Sequence, residues 1–340
     1  MSVGQKVIVT VGAFVITFIT ICMVFSDDIS FILTSKSIER NYGKTIENSY
    51  FIEDNFEYVD NYEGAEVHSK QEIINSIYYL INSGVSYSKR YCAKDYVDCY
   101  KDMDAISNDA DTMSILNNYV HPYNSFDSIV FNFDDNVIEI EVKHTYKSEE
   151  IRILNDYIDN FINTNITSNM TVREKIKVIH DHIINTTTYD SLKSENIEDT
   201  TYRSNTAYGV LKEGYGICSG YSDAMKLFLD RLGITSYKIF SENHIWNLVY
   251  LNGDWYHLDL TWDDPITASG RNVLLHDYFL INDNDLTEKY CDIKEELNDV
   301  KNANLDFDKR FNSFSSIPFF MFGGFVVISS LMISAFIYTI

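Results

Sequence analysis

The sequence predicts an α+β protein with a membrane-spanning helix at each end. Three observations lead to this prediction: a cysteine followed by a one-sided apolar stripe, a downstream β-hairpin pattern, and an uncharged apolar segment at each terminus. A helix followed by antiparallel strands favours a helix packed on an antiparallel sheet. The predicted boundaries are 1–6 for a short tail, 7–25 for an anchor, 26–65 for an acidic stalk, 66–148 for a small α/β accessory domain, 149–300 for the main α+β domain, 301–316 for a linker and 317–340 for a C-terminal span.

The two terminal segments carry no charged residue. Segments 7–25 and 317–340 are each long enough to cross the hydrocarbon core of a bilayer. A cleaved signal peptide is the alternative for the first segment, but Val24-Phe25-Ser26 offers no small-x-small cleavage site. A buried core helix is the alternative for the second. We expect both segments to span the membrane, which places both termini on one side and residues 26–316 on the other.

The side of the membrane is indicated by charge and by cysteine usage. Lys6 before the first span and Asp27 and Asp28 after it favour an extracellular domain, although basic residues on the domain side of each span oppose this orientation. Cys92 and Cys99 are close enough in sequence to form a short disulfide, as an exported domain would allow. Two reduced thiols remain the alternative. The expected location is the cell membrane, with the domain outside.

The composition limits the classes of partner. The 340 residues contain 27 Lys and Arg against 50 Asp and Glu, which gives a formal net charge of −23. Such a chain does not neutralise phosphates, so nucleic-acid binding is not expected. The acidic residues are spread along the chain, which is typical of a solvated surface. A hydrophobic content of 45% is sufficient for a core.

The segment before the main domain has clear secondary-structure signals and no recognisable chemistry. Ser69 and Glu72 form a capping-box pattern that opens a helix to about Asn82. Residues 129–133 and 137–143 are predicted strands on either side of Asp134-Asp135-Asn136, and the second alternates apolar and acidic residues. We interpret this segment as an accessory domain.

Two helices open the main domain. The acidic pair Glu149-Glu150 begins a helix to about Ile162, and Thr171 with Glu174 caps the next one. Three isoleucines, Ile176, Ile179 and Ile183, share one face of that second helix.

Cys218 falls at the start of a further helix. The apolar residues that follow it have helical spacing, and Gly233 is the expected C-terminal stop. The stripe comprises Tyr221, Ala224, Met225, Phe228, Leu229 and Leu232. Free backbone N–H groups at a helix start favour an anion there and make a cysteine more reactive. The alternative is that Cys218 extends the stripe as a small buried side chain.

A β-hairpin contributes the next candidates. Asn252-Gly253 is a strong hairpin signal between two strand-like runs at 244–250 and 255–261. That turn pairs Tyr250 with Trp255, Leu248 with His257, Trp246 with Asp259, and His244 with Thr261. Side chains alternate between faces, so His244 and Asp259 become diagonal neighbours on one face, in reach of contact. An ordinary half-exposed hairpin is the alternative.

Three stretches of sequence resemble the bacterial transglutaminase-like domain family, which is related to papain-type cysteine peptidases. They are Gly-Ile-Cys-Ser-Gly-Tyr at 216–221, Asn-His-Ile-Trp-Asn at 243–247 and Trp-Tyr-His-Leu-Asp-Leu-Thr-Trp-Asp-Asp-Pro at 255–265. A weaker similarity at 179–190 extends the resemblance over residues 150–285. The resemblance implies a papain- or transglutaminase-like core, with the nucleophile at a helix N-terminus packed on an antiparallel sheet.

The resemblance also implies a Cys-His-Asp triad. Cys218 would be the nucleophile, His244 the base and Asp259 the residue that orients the base. Such an enzyme forms an acyl-enzyme from an amide or peptide carbonyl and passes the acyl group to an amine or to water, with no cofactor. The expected substrates are proteins or peptides, with cell-wall and surface proteins as candidates. The alternative is a non-catalytic cell-surface binding or scaffold module that keeps the fold.

Other histidines and acidic residues have simpler interpretations. His180 and His182 lie two residues apart on a predicted helix and point to different faces, so no metal pair is expected. His257 shares the face of His244, but packing in the core is favoured over substrate contact. Asp263 and Asp264 are expected to cap a turn, because no spaced carboxylate loop indicates calcium.

Overall fold

The computed structural model describes residues 49–289, apart from 54–55, 57, 197, 242–243 and 267–272. The predicted tail, both predicted terminal spans, the predicted linker and the cysteine at position 291 lie outside the described residues, as do residues 26–48 of the predicted stalk. Among the helices that the structure describes, none combines the length and the apolar character that crossing a membrane requires.

The first half of the described chain is an α/β unit with a four-stranded sheet. The strand order is β1-β2-β4-β3, with β1 parallel to β2 and the other pairs antiparallel. Its elements are β1 (Glu66–Val67), α1 (Lys70–Asn82), β2 (Tyr87–Cys92), α2 (Cys99–Ser107), α3 (Ala110–Tyr119), a 3-10 turn (Pro122–Asn124), β3 (Phe126–Asp134) and β4 (Val137–His144).

Local signals explain why these elements begin and end where they do. The Ser69 hydroxyl accepts a hydrogen bond from the Glu72 N–H at 3.2 Å, and the Glu72 carboxylate accepts one from the His68 N–H at 2.8 Å. Gly84, with a φ of 66°, follows the end of α1. Asp134 pairs with Val137 across the β3–β4 turn. The predicted helix start and the two predicted strands are therefore confirmed.

The core of this first unit lies between α1 and the sheet. Ile77, Ile138 and Ile140 are fully buried. Phe56 and Val59 are also buried in it, at 2% and 1% exposure, although the sequence assigned them to the stalk. Apolar side chains at these two positions are removed from water, so the described part of residues 49–65 packs as part of the folded unit.

The second half of the described chain combines helices with a separate four-stranded sheet. That sheet has the order β10-β9-β8-β7 with antiparallel neighbours, and β5 and β6 form a short parallel pair. The elements are α4 (Ser148–Asn165), α5 (Val172–Thr186), β5 (Thr188–Tyr189), α6 (Ser191–Glu195), a π-helix (Gly209–Glu213), β6 (Tyr215–Gly216), α7 (Cys218–Arg231), β7 (Ser236–Ser241), β8 (His244–Leu251), β9 (Asp254–Leu258), β10 (Phe279–Ile281) and α8 (Asp283–Lys289).

Helix α7 packs against β7 and β8 on one side and against α5 on the other. The shared core includes Ile179, Ile183, Phe228 and Val249, all fully buried. Thr171 caps α5 with a reciprocal bond to Glu174, as predicted. The mixed α+β architecture is thus confirmed.

The first unit packs against the second sheet at its terminal strand. β7 is an edge strand, and α3 contacts it. The ring of Tyr237 on β7 lies 6.1 Å from Phe56 and 5.8 Å from Trp255. The first unit therefore completes the packing of the sheet that carries the candidate site.

A disulfide joins Cys92, at the end of β2, to Cys99, the first residue of α2. The sequence had left this pairing open against two reduced thiols. It closes a loop with a sequence separation of 7 residues beside the buried core.

Replacing both Cys92 and Cys99 by alanine should lower the free energy of unfolding by about 2–3 kcal/mol, because the unfolded chain regains the entropy that the closed loop removes. Thermal unfolding of the full chain in detergent measures this. Cys218→Ala is the matched control, since it also replaces a buried cysteine and cuts no cross-link. An equal loss in the control would contradict a specific contribution from the disulfide.

Candidate active site

Cys218 is the first residue of α7 and is 5% exposed. The chain reaches it through β6, which is held by bonds from the Thr188 N–H to the Gly214 carbonyl at 2.8 Å and from the Asp190 N–H to the Gly216 carbonyl at 2.9 Å. The thiol is free, as the sequence predicted. Cys218 therefore lies at the positive end of the helix dipole, and the hydrogen-bonded strand β6 fixes the chain just before it.

Close packing at the helix start explains a nearby glycine. A Cβ atom on Gly220 would lie 2.2 Å from the carbonyl oxygen of Ser204. That same carbonyl accepts the N–H of Ile217 at 2.9 Å. The segment around Ser204 thus lies against the first turn of α7, and a side chain at position 220 would displace it.

His244 and Asp259 are in direct contact. The distance from His244 Nε2 to Asp259 Oδ2 is 2.6 Å. The other carboxylate oxygen accepts the N–H groups of Thr261 at 3.0 Å and Trp262 at 3.2 Å. Asp259 is 2% exposed, so its carboxylate depends on these three donors instead of water. The predicted contact between His244 and Asp259 is confirmed.

The hairpin register is confirmed near its turn and wrong at its far end. Tyr250 pairs with Trp255 and Leu248 with His257, as predicted. β9 ends at Leu258, however, so the expected partners of Trp246 and His244 are not formed. Asp259 instead donates its N–H to the carbonyl of Tyr278, and its side chain caps the turn that follows. The carboxylate reaches His244 from a turn.

The charge on His244 is governed by this carboxylate. Burial of the imidazole lowers its pKa, but the Coulomb attraction and hydrogen bond of Asp259 outweigh burial and raise the pKa from 6.5 to about 10. The neighbouring Cys218 contributes to the same upward shift of the pKa. The thiol therefore lies within electrostatic reach of the imidazole that Asp259 holds. In its charged form the imidazole can neutralise a thiolate.

Two tryptophans surround His244, and only one of them faces solvent. The ring of Trp246 stacks on His244 at 5.6 Å, and its Nε1 donates to His257 Nδ1 at 3.0 Å. His257 has no exposure, so its predicted role as a packed imidazole is confirmed. Trp262 presents its edge to His244 at 5.7 Å and is 42% exposed. Trp262 therefore forms the open wall of the site.

Three further side chains near the site were not identified from the sequence. Burial, followed by the charge of Cys218, raises the pKa of Tyr189 to about 12, so the phenol lies in electrostatic reach of the sulfur and stays protonated. Ser222 and Asn247 connect the helix of Cys218 to the strand of His244. Helical spacing could have placed Ser222 on the face of Cys218, but no sequence signal relates it to Asn247.

An ionic cluster lies behind the loop of Asp259. His180 is fully buried, with Nε2 at 3.0 Å from Asp263 Oδ2 and Nδ1 at 3.0 Å from Asp181 Oδ1. His276 Nε2 lies 2.6 Å from the same Asp181 oxygen. Within the described residues, His180, Asp181 and His276 form the one group that could hold a metal ion. The Lys177 ammonium lies 2.8 Å from His276 Nε2 and already supplies a positive charge there.

His182 does not belong to this cluster. Its Nε2 lies 2.7 Å from the hydroxyl of Tyr157, and its ring stacks on Phe161 at 4.2 Å. The prediction that His180 and His182 point in different directions is confirmed. The prediction that Asp263 and Asp264 cap a turn is wrong, because both side chains bond to distant segments: Asp263 accepts the Tyr278 N–H at 2.9 Å, and Asp264 accepts the hydroxyl of Tyr221.

Two comparisons with known proteins found matches. A model of the transglutaminase-like superfamily matches residues 160–260, a range that contains Cys218, His244 and Asp259. Residues 160–260 therefore form a domain of the transglutaminase-like superfamily. Among solved structures, one described as the crystal structure of a TGase is 16% identical, with a TM-score of 0.31. That match covers 52% of this chain and about half, 51%, of the other. No match was found among curated proteins.

Asp259→Asn should lower the pKa of His244 well below its value of about 10, because burial then acts without the compensating carboxylate. Histidine-selective ¹⁵N NMR of the full chain in detergent measures the titration. Asp264→Asn is the matched control: it changes a second buried carboxylate on the same loop, which contacts Tyr221. An equal fall of the His244 pKa in both variants would contradict the direct contact.

The same contact should make stability depend on pH in one direction. The folded-state pKa of His244 is about 10, above the ordinary 6.5. The contribution of this contact to the free energy of unfolding is therefore complete below about pH 6.5 and is lost as pH rises through about 10. The difference in unfolding free energy between wild type and Asp259→Asn should therefore shrink over that interval. A constant difference, measured by thermal unfolding, would contradict it.

Proposed function

We propose that this chain is a membrane-anchored thiol enzyme that acts on amide or peptide carbonyls through Cys218, His244 and Asp259. The observation that carries the proposal is the 2.6 Å contact by which Asp259 holds His244, together with a free thiol at a helix start within electrostatic reach of that imidazole. A thiol, a base and a carboxylate that orients the base are the requirements for nucleophilic acyl transfer.

The chemistry proceeds in two halves. The Cys218 thiolate attacks the carbonyl carbon, and the tetrahedral oxyanion then expels the amine, which takes its proton from the His244 imidazolium. This leaves a thioester on Cys218. In the second half an amine or water attacks the thioester while His244 accepts its proton, and the acyl product leaves. The thiolate and the imidazolium are thereby restored, so the cycle requires no cofactor.

The oxyanion would form beside the first turn of α7. Backbone N–H groups at a helix start lack intrahelical partners and point towards a negative charge. The N–H of Cys218 belongs to that turn. The buried carboxylate of Asp259 accepts hydrogen bonds from His244 and from the N–H groups of Thr261 and Trp262. These bonds hold the carboxylate in the position from which it stabilises the imidazolium.

The proposed substrates are proteins or peptides, with cell-wall or surface proteins as candidates. The exposed Trp262 offers a flat apolar wall next to the base, suited to the side chain of an extended substrate. A chain with a net charge of −23 attracts cationic groups over long range, which favours the approach of an amine as acyl acceptor. Cross-linking and hydrolysis share the acyl-enzyme.

We place the domain outside the cell, anchored by 7–25 and 317–340. The uncharged apolar character of both segments supports anchoring. The disulfide between Cys92 and Cys99 supports an oxidising compartment, since disulfides are rare in reducing cytosol.

Iodoacetamide at pH 6 should alkylate Cys218 faster than the other thiols, Cys22 and Cys291, because an imidazolium next to the sulfur favours the thiolate. Peptide mass spectrometry measures each site, and Cys218→Ala should remove the fast reaction. Faster modification of Cys291 would overturn the assignment of the nucleophile. Fast labelling without any acyl-enzyme from glutamine or peptide substrates would favour a binding module that keeps the fold.

Protease added to intact cells should digest residues 26–316, because the proposed orientation exposes them outside. Immunoblotting for an epitope within the domain reads the result, and a cytoplasmic protein serves as the control for intact membranes. Full protection, with digestion only after lysis, would place the domain in the cytoplasm.

A further inference from the structure

The nucleophile and the base lie on different elements, 26 positions apart in the chain, so their distance depends on how α7 sits on β8. Two hydrogen bonds join these elements directly. The Ser222 hydroxyl donates to the carbonyl of Ile245 at 3.0 Å, and the Asn247 side-chain amide donates to the carbonyl of Ser222 at 3.0 Å. Each bond begins or ends within four residues of Cys218 or His244.

Both side chains that donate these bonds are buried. Ser222 and Asn247 are 3% and 1% exposed; the Asn247 bond is fully buried, and the Ser222 bond is partly buried at the Ile245 carbonyl. Ser222 lies one helical turn after Cys218, on the same side of α7. Ile245 directly follows His244, and its carbonyl is part of the strand that carries the imidazole. The two bonds therefore tie the turn after the thiol to the strand segment next to the base.

Directional bonds restrict a motion that apolar packing alone would allow. A rotation of α7 by about 20° about its axis would move an atom near its surface by roughly 2 Å, since a helix has a radius of about 5–6 Å with side chains. Misplacement of reacting groups by about 1 Å can cost on the order of 10²-fold in rate. The hydroxyl and the amide each form a bond that crosses the helix–strand interface, and such bonds oppose this rotation.

Asn247 also carries a feature that packing does not explain. Its side-chain carbonyl oxygen is buried and, within the described part of the chain, has no hydrogen-bond partner. A buried acceptor without a partner destabilises a fold. A leucine has the same branched side-chain shape and carries no buried acceptor. Asn247 therefore lowers the stability of the fold through its unpartnered oxygen, while its amide holds α7 against β8. Such a combination is expected of a residue whose role is to position other groups.

We propose that Ser222 and Asn247 are positioning residues that hold the Cys218 thiol against the His244 imidazole. This inference rests on the proposed function, in which those two groups react together. Ser222 and Asn247 touch neither the thiol nor the substrate, and they act through the placement of α7 on β8. Both are needed because the two bonds hold adjacent points of the interface.

The test compares Asn247→Leu and Ser222→Ala with wild type in the full chain in detergent. Each variant should slow alkylation of Cys218 by iodoacetamide at pH 6 by about 10-fold or more, while alkylation of the unfolded chain in denaturant stays unchanged. The melting temperature of Asn247→Leu should equal or exceed that of wild type, because the unpartnered acceptor is gone. A structural role alone would lower stability and leave the reactivity of the folded protein intact.

Ser236→Ala is the matched control. Ser236 lies on β7 of the same sheet, is 3% exposed, and its hydroxyl has no partner among the described residues. This variant should keep the wild-type alkylation rate at pH 6. If Asn247→Leu fails to fold, the alkylation rate of Ser222→Ala alone tests the positioning role, because that variant removes only one oxygen atom and is expected to fold. Wild-type rates in both variants would overturn the positioning role, whereas slow alkylation of wild type itself would overturn the proposed function instead.

Discussion

The structure around the candidate site depends on the compensation of one buried charge. Asp259 is almost entirely removed from water, and a buried carboxylate is costly unless donors surround it. Its three donors come from the strand β8 and from its own turn. The end of β9 at Leu258, the turn over 259–262 and the raised pKa of His244 all follow from satisfying that carboxylate.

The helix of Cys218 is attached to its surroundings by the same kind of interaction. Lys238 on β7 and Asp223 on α7 form a buried ion pair at 2.8 Å, and the hydroxyl of Tyr146 donates to the second Asp223 oxygen at 2.8 Å. Tyr146 in turn accepts the N–H of Ala207. Every charge in this network has a partner, which is the condition under which buried ions are tolerated. The network links the segment after β4 to the turn that follows Cys218.

Sequence reasoning succeeded where the determining forces are local. The Ser69 and Thr171 caps and the Asn252-Gly253 turn depend on residues within a few positions of each other, and the structure contains all three. It failed at Asp259, where extrapolation of the hairpin register continued a strand that stops at Leu258. The carbonyl of Tyr278, which takes the N–H of Asp259, belongs to a distant segment that no local rule connects to the hairpin.

The sequence by itself determined the elements, the hairpin register next to its turn, and the candidate residues Cys218, His244 and Asp259. The elements and the register follow from period, capping and turn chemistry, which act over short separations. The roles of the three candidate residues are what the resemblance to the transglutaminase-like family implies. Only the tertiary structure decided that α7 and β8 pack together, and that Ser222 and Asn247 join the two elements. That contact depends on buried polar groups finding partners across the interface between α7 and β8, and such partners are chosen by packing in three dimensions, not by spacing in the chain.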